Sequence, residues 1–382
     1  LITPSQPYIY IDNETSLEKL VEIIRKEDRV AVDTEADSFY HFHEKVCLIQ
    51  LSMGDECFIV DPLNGLNLDN FFGVLSDKTL ILHGSDYDLR MLETSFSFRP
   101  GQIFDTMIAA QIAGYKQFGL ASLVDEFFNV KLSKEAQKSD WSARPLPHDL
   151  LVYASNDTRY LHDLADALAA KLTKLKRLDW HEQACRQALV STYKKRVKKT
   201  SRAAWQIKGS SKLSARRLCY VHDIWNWRQE QANKQDLAPF RIMPNYMILK
   251  LANWAERDSE GKDFKFPPNF TKSQITSLLE VVNKSRSLSP SEWPEIRKRI
   301  KNEHPSNDLK YFNELREHCL ETAELLDIDP SLLAPKAALQ KVANRKLDTA
   351  GSIAKSTQLL SWQAEIVAKI VEKINANRDE NV

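Results

Sequence analysis

Read as a pattern of apolar and polar positions, the chain changes character about halfway along. Up to about residue 190, short apolar runs alternate with segments of helical spacing. Tyr8 to Ile11 is short and β-prone. Ser16-Leu-Glu-Lys-Leu-Val-Glu-Ile-Ile spaces its apolar residues along one face of a helix, behind a Thr/Ser cap. Arg29-Val-Ala-Val-Asp-Thr-Glu predicts a strand. Val46-Cys-Leu-Ile-Gln-Leu-Ser and Cys57-Phe-Ile-Val predict two more, joined as a hairpin through Met53-Gly-Asp-Glu, and Thr79-Leu-Ile-Leu-His predicts another. Beyond it nearly everything reads as helix, including a long one from about His148 to Leu175. A hairpin among strands separated by helices implies an α/β domain with a mixed sheet.

The basic run Lys194-Lys-Arg-Val-Lys-Lys-Thr-Ser-Arg breaks this pattern and reads as a linker or an exposed helix end. Two helical blocks follow. The expected division is residues 1–190, a linker over 191–207, a block over 208–295 and another over 305–382. A shift of 91 positions pairs Ala232 with Ala323, Pro239 with Pro330, Ile242 with Leu333, Pro244 with Pro335, Ile248 with Leu339 and Ala252 with Ala343. That agreement points to an internal duplication.

Composition adds a constraint. The formal net charge is only +1, but it is segregated: residues 1–190 carry −10, residues 191–300 carry +13 and residues 301–382 carry −2. An acidic region beside a basic one raises the question of nucleic acid. Cys47, Cys57, Cys185, Cys219 and Cys319 are odd in number and scattered, which favours a reducing compartment over a disulfide framework. No apolar run approaches a membrane span, and LITPSQPYIY lacks the pattern of a signal peptide.

Three elements carry candidate chemistry. Asp33 and Glu35 stand two apart on a strand, so both carboxylates face one way, about 6–7 Å apart along it. Such a pair is held against repulsion by a cation or by solvent. In His83-Gly-Ser-Asp-Tyr-Asp88, a strand gives way to a helix, with Asp86 as the expected N-cap and Asp88 in the first turn. Tyr153 and Asp157 are i and i+4 on a helix that packs, where an unpaired Asp is costly to bury. Taken together, four carboxylates and a tyrosine match what two-metal phosphodiester hydrolysis needs. Mg²⁺ and Mn²⁺ prefer oxygen ligands, and a paired site activates water and stabilises the leaving oxygen.

On these motifs the sequence resembles the ribonuclease D family, in the branch of the DEDD 3′→5′ exonucleases with a tyrosine before the last aspartate. Supporting stretches are Leu48-Ile-Gln-Leu, Phe104-Asp105-Thr, Gly119-Leu-Ala-Ser-Leu and Ser139-Asp-Trp-Ser-Ala-Arg-Pro-Leu-Pro147. The helical blocks resemble HRDC domains, the first through Leu213-Ser-Ala-Arg-Arg-Leu, Arg228 and Pro239-Phe-Arg-Ile. The resemblance implies a ribonuclease H-like α/β exonuclease domain followed by two all-α HRDC-like bundles. It implies that Asp33 bridges two Mg²⁺ or Mn²⁺ ions and that Glu35 and Asp157 complete the water-activating site. Asp88 supports the second ion, and Tyr153 positions the nucleophile. The implied activity removes nucleoside 5′-monophosphates from RNA 3′ ends, with precursors of tRNA and other small structured RNAs as substrates. A cytoplasmic location and no obligate protein partner go with it.

Further substrate contacts are expected from Phe39 and Tyr40 by stacking, from His83, from Trp141 and Arg144 in the loop before the catalytic helix, and from Arg216, Arg217 and Arg228 on phosphates. Packing is the competing role for Phe39, Tyr40 and Trp141. Asp37 and Asp86 read as supporting or capping residues, and His41 and His43 as loop polarity. Two rival functions share these residues. One is a DNA 3′→5′ exonuclease, because carboxylates do not read the 2′-hydroxyl. The other is a non-catalytic adaptor, whose signature would be a missing carboxylate; all five positions are filled.

Overall fold

The computed structural model describes residues 8–133, 135–199, 204–257, 264–268, 270–294 and 309–379. Six strands form one mixed sheet: β1 (Ile9–Ile11), β2 (Arg29–Ala36), β3 (Val46–Met53), β4 (Glu56–Val60), β5 (Thr79–Leu82) and β6 (Gln102–Asp105). Their order is β1-β4-β3-β2-β5-β6. β3 runs antiparallel to β2 and β4, whereas β5 and β6 continue parallel to β2. The sequence pattern misses β6, whose Gln-Ile-Phe-Asp has only two apolar residues between polar ends, whereas the equally short β5 is apolar after its first residue.

Eight helices accompany the sheet: α1 (Glu14–Arg25), α2 (Asp69–Leu75), α3 (Asp86–Phe96), α4 (Thr106–Ile112), α5 (Leu120–Phe128), α6 (His148–Arg159), α7 (Leu161–Lys174) and α8 (Leu178–Lys199). Alternation along β2 sorts its residues between two layers. Val30 and Val32 pack with Leu20 of α1, Phe71 of α2 and Leu92 of α3. Ala31 faces the other way, onto Leu161 and Ala165 of α7. Asp33 and Glu35 continue that second row toward α6.

The helix expected from His148 to Leu175 is in fact two, α6 and α7, broken at Tyr160. The cause lies in β3. Ser52 Oγ donates to the carbonyl of Thr158 at 2.7 Å, and His162 Nε2 lies 2.9 Å from the Ser52 carbonyl. Tyr160 stacks on Phe128 at the same junction. The basic run also differs from a simple linker: α8 continues through it to Lys199.

The loop leading into α6 corrects two expectations. Trp141 is buried, packed with Cys47, Leu48 and Ala154, and so anchors the loop rather than meeting substrate. Arg144 forks onto the buried carboxylate of Asp61 at 2.6 and 2.7 Å. It also donates to the carbonyls of Trp141 and Cys47. Tyr10 donates its hydroxyl to the same Asp61. A guanidinium with five donors spent on the fold has little left for RNA.

The described residues fall into two compact units, one within 1–36, 46–194 and 300–382, the other within 37–45 and 195–299. In the second unit, α9 (Ala215–Gln235), α10 (Pro239–Ile242), α11 (Asn245–Arg257) and α12 (Lys272–Ser287) close over Leu218, Val221, Ile224, Trp227, Leu251 and Leu278. Trp227 is buried with its N–H on Ser277, while its neighbour Trp225 is only partly covered. In the first unit, α13 (Leu309–Leu325), α14 (Pro330–Leu333), α15 (Lys336–Arg345), α16 (Ala350–Thr357) and α17 (Ser361–Asp379) form a bundle with its own core. Trp362 of this bundle stacks on Trp180 of α8 with ring centres 4.2 Å apart and planes 6° apart.

The 91-residue shift recurs in the backbone. Asp236 and Asp327 end their long helices in the left-handed region, at φ 46° and 49°. The next amides return to Ala232 and Ala323, and Pro239 and Pro330 open matching one-turn helices. Ile242, Ile248 and Ala252 are buried, as are Leu333, Leu339 and Ala343. Each left-handed Asp also receives a passing loop. Asp236 accepts from the amides of Phe42 and His43 and pairs with His41 at 2.8 Å. Asp327 pairs with Lys116 at 3.0 Å.

Replacing Arg144 with Met would strand the Asp61 carboxylate without its charge partner. We expect a loss of about 3 kcal/mol of unfolding free energy, read from urea titration. A loss under about 1 kcal/mol would mean that Trp141 alone holds the loop.

Candidate active site

β2 lies inside the sheet, laddered to β5 over Arg29–Ala31 and to β3 from Ala31 to Ala36. Its register against β3 shifts between Glu35 and Ala36, where the strand leaves the ladder. There Asp33 and Glu35 meet Asp157 of α6. One oxygen from each of the three lies within 4.8 Å of the others. They line a cleft of about 370 Å³, together with Thr34, His83, Gly119, Gln137 and Tyr153. The three keep an edge open to the cleft, but the surrounding atoms displace most of their water.

Asp88 is not in that triplet. It is buried, and its Oδ1 accepts from the Thr34 hydroxyl at 2.6 Å and the Thr34 amide at 3.2 Å. Thr34 stands between Asp33 and Glu35 on β2, so the strand that presents two of the carboxylates also holds the third. The sequence motif offers Thr34 as a spacer, whereas the structure makes it a tether.

Burial and mutual repulsion set the electrostatics. Asp33 and Glu35 are both held well above the usual carboxylate range, first by loss of water and then by the other acids. Burial lifts Asp157 to about 7, helped by Asp88. Asp88 rises to about 6 by burial, against the opposing pull of its Thr34 hydrogen bonds. Tyr153 is also raised, by burial and then by Asp157, Glu35 and Asp33, so its hydroxyl stays a neutral phenol. Its ring leans on Trp141 at 6.1 Å.

Asp105, at the end of β6, is a supporting residue that the sequence showed only as part of a family motif. Its buried carboxylate accepts from the amides of Gly84, Ser85, Met107 and Ile108 at 2.8–3.1 Å. It thereby ties the turn before α3 to the start of α4. The expected N-cap, Asp86, is instead the first residue of α3; Ser85 holds the cap position, and Asp105 satisfies its amide from outside. Asp86 pairs with Arg90 and receives Thr192. An Asp closing a short strand before Thr is the signal that could have found Asp105.

Gln50 is a second residue without an assigned role in the sequence. It sits directly across from Asp33 on β3, fully buried, and neither polar atom of its carboxamide has a hydrogen-bond partner among the described residues.

The other expected contacts lie elsewhere. Phe39 packs edge-on against Phe240, and Tyr40 lies under the guanidinium of Arg241 at 4.1 Å. Both belong with the first helical block. His43 bonds Asn233 at 2.7 Å in the same segment. Asp37 is buried and accepts from the Lys45 amide, closing that loop. Arg216 donates to the carbonyls of Ser285, Arg286 and Leu288, capping the end of α12. Arg217 pairs with Glu256. Arg228 is buried against Met243 and Asn245, and burial pushes its pKa down to about 10. These three arginines hold the block together and have no fork turned toward a phosphate.

The donor set suits a hard divalent cation: oxygen only, crowded and short of water. Residues 8–173 match the 3′–5′ exonuclease family, which depends on divalent metal, and residues 220–261 match the HRDC domain. The chain is 26% identical to ribonuclease D of Haemophilus influenzae over 95% of its own length and 92% of that protein. It is 30% identical to the exosome complex component 10 homolog of Caenorhabditis elegans, over 74% of this chain but only 33% of that one. The crystal structure of Escherichia coli RNase D, an exoribonuclease involved in structured RNA processing, aligns over 97% of this chain and 99% of its own, with a TM-score of 0.69 and 23% identity. The chain thus joins a 3′–5′ exonuclease domain at its front to an HRDC domain behind it, and proteins named ribonuclease D match it almost end to end.

Proposed function

We propose that the protein shortens RNA from its 3′ end, one nucleotide at a time, releasing nucleoside 5′-monophosphates. The observation that carries this reading is the convergence of Asp33, Glu35 and Asp157 within 4.8 Å, with Asp88 tethered to the same strand through Thr34. Three carboxylates at that spacing repel strongly unless cations neutralise them. Asp33, Glu35 and Asp157 would hold one Mg²⁺ or Mn²⁺ ion, and Asp33 with Asp88 a second. Such ions supply charge neutralisation at the phosphate and a more acidic water. Tyr153 orients the attacking water as a phenol, since its surroundings disfavour the phenolate. Thr34 fixes the carboxylate of Asp88, and Asp105 fixes the turn from which Asp88 projects.

The substrates we propose are tRNA precursors and similar structured RNAs met in the cytoplasm, acted on without an obligate protein partner. The ribonuclease D relatives and the net +13 over residues 191–300 support that reading. Exposed cations of the first block, among them Lys212, Lys234, Lys250 and Lys272, suit phosphates better than the three engaged arginines. We read the second helical block as a duplicate HRDC-like domain that packs on α8 through Trp362.

Asp33→Asn and Asp157→Asn are each expected to abolish Mg²⁺-dependent release of mononucleotides from a 3′-labelled RNA, with the far-ultraviolet circular dichroism unchanged. Equal degradation in EDTA would overturn the metal assignment. Tyr153→Phe is expected to lower kcat by about 10²-fold or more while leaving the Mg²⁺ concentration dependence in place. An unchanged kcat would remove Tyr153 from the reaction.

The raised acids also fix a pH dependence. Asp88 and Asp157 bind protons more tightly folded than unfolded, so their contribution to stability is present below about pH 4. It is lost as pH rises through about 6 for Asp88 and about 7 for Asp157. Thermal melts in EDTA should therefore show Tm falling across that window relative to Asp157→Asn, with Mg²⁺ restoring it. Parallel melting curves for the two proteins would contradict the raised pKa of Asp157.

A further inference from the structure

The turn carrying His83 commits one ring nitrogen and leaves the other open. His83 Nδ1 lies 2.9 Å from Thr106 Oγ1. That hydroxyl donates to the carbonyl of Leu82 at 3.0 Å, and Thr106 is fully buried. A hydroxyl has a single proton to give, so toward His83 it accepts, and Nδ1 carries the ring proton. Burial disfavours the imidazolium. The neutral ring then keeps its lone pair on Nε2. Nε2 has no protein partner among the described residues and is not sealed from solvent. His83 lines the same cleft as Asp33, Glu35, Tyr153 and Asp157.

The ring is held in place. Gly84 turns at φ +73°, where a Cβ would come within 2.7 Å of Met107 Cε. The amides of Gly84 and Ser85 are pinned by Asp105. A fixed lone pair at the wall of a cleft selects for donors. Phosphate oxygens of a diester have no proton to offer it, whereas sugar hydroxyls do.

We propose that His83 reads a ribose hydroxyl of the 3′-terminal nucleotide, accepting from it at Nε2. This rests on the reading of the cleft as the site of 3′-end hydrolysis. If the 2′-hydroxyl is the donor, this is where RNA is told from DNA, a choice the carboxylates cannot make.

The test measures kcat/KM for release of the first nucleotide in Mg²⁺ from three matched RNAs, ending in a ribo-, a 2′-deoxy- or a 3′-deoxynucleotide. The wild type is expected to lose about tenfold or more on one of the two deoxy ends, and which end identifies the hydroxyl. His83→Phe should bring that ratio to within about twofold of one. His83→Gln, with a carboxamide oxygen able to stand near the Nε2 position, should recover part of it. Thr106→Val removes the acceptor that fixes the proton on Nδ1 and should also flatten the ratio, with His83 itself unchanged. Three results would overturn the inference: a wild-type ratio near one on both deoxy ends, a ratio that survives in His83→Phe, or an equal slowing on all three RNAs. Absence of any mononucleotide release by the wild type would instead defeat the reading of the cleft, and the inference with it.

Discussion

Like charges brought together away from water set the terms for this molecule. Asp33, Glu35, Asp88 and Asp157 come from a strand and two helices far apart in sequence, and each is pushed toward its protonated form by the place it occupies. A surface cluster would relax by spreading into solvent. This one cannot, because β2 stays laddered to β3 through Asp33 and Glu35 and α6 is seated on β3 and β4. The fold holds a configuration that only protons or cations make comfortable, and the surrounding hydrogen bonds serve that end.

Those supports are arranged in depth. Thr34 restrains Asp88 from within the strand that presents Asp33 and Glu35. Asp105 restrains the turn below Asp88 by collecting four backbone amides. Asp61 and Arg144 restrain the loop that delivers α6, and with it Tyr153 and Asp157. Each is a charged or hydroxyl side chain spent on backbone or on another side chain. Preorganisation of this kind spares the site the cost of ordering itself when substrate arrives.

Much of this was legible in the sequence. The spacing of Asp33 and Glu35, and of Tyr153 and Asp157, follows from the two- and four-residue neighbour rules of strand and helix. The 91-residue shift was visible because the prolines that start α10 and α14 stand at matching positions in the two blocks. Other features left no periodic trace. β6 has only two apolar residues between polar ends, and the break at Tyr160 is imposed by Ser52, more than a hundred residues earlier. The arginines were misread because composition cannot tell a solvent-facing guanidinium from one consumed by carbonyls. Arg144, Arg216 and Arg228 are all of the second kind. Phe39 and Tyr40 follow the catalytic strand closely, yet their rings are taken up by Phe240 and Arg241.

The left-handed corner at Asp236 and Asp327 bears on how each helical block takes hold of a loop. The same position in each helical block ends a helix and offers a carboxylate to a loop that the block did not itself supply, at His41 in one case and Lys116 in the other. A helix end of this kind carries its point of attachment within its own backbone geometry, and asks of the receiving loop only one side chain to meet the carboxylate.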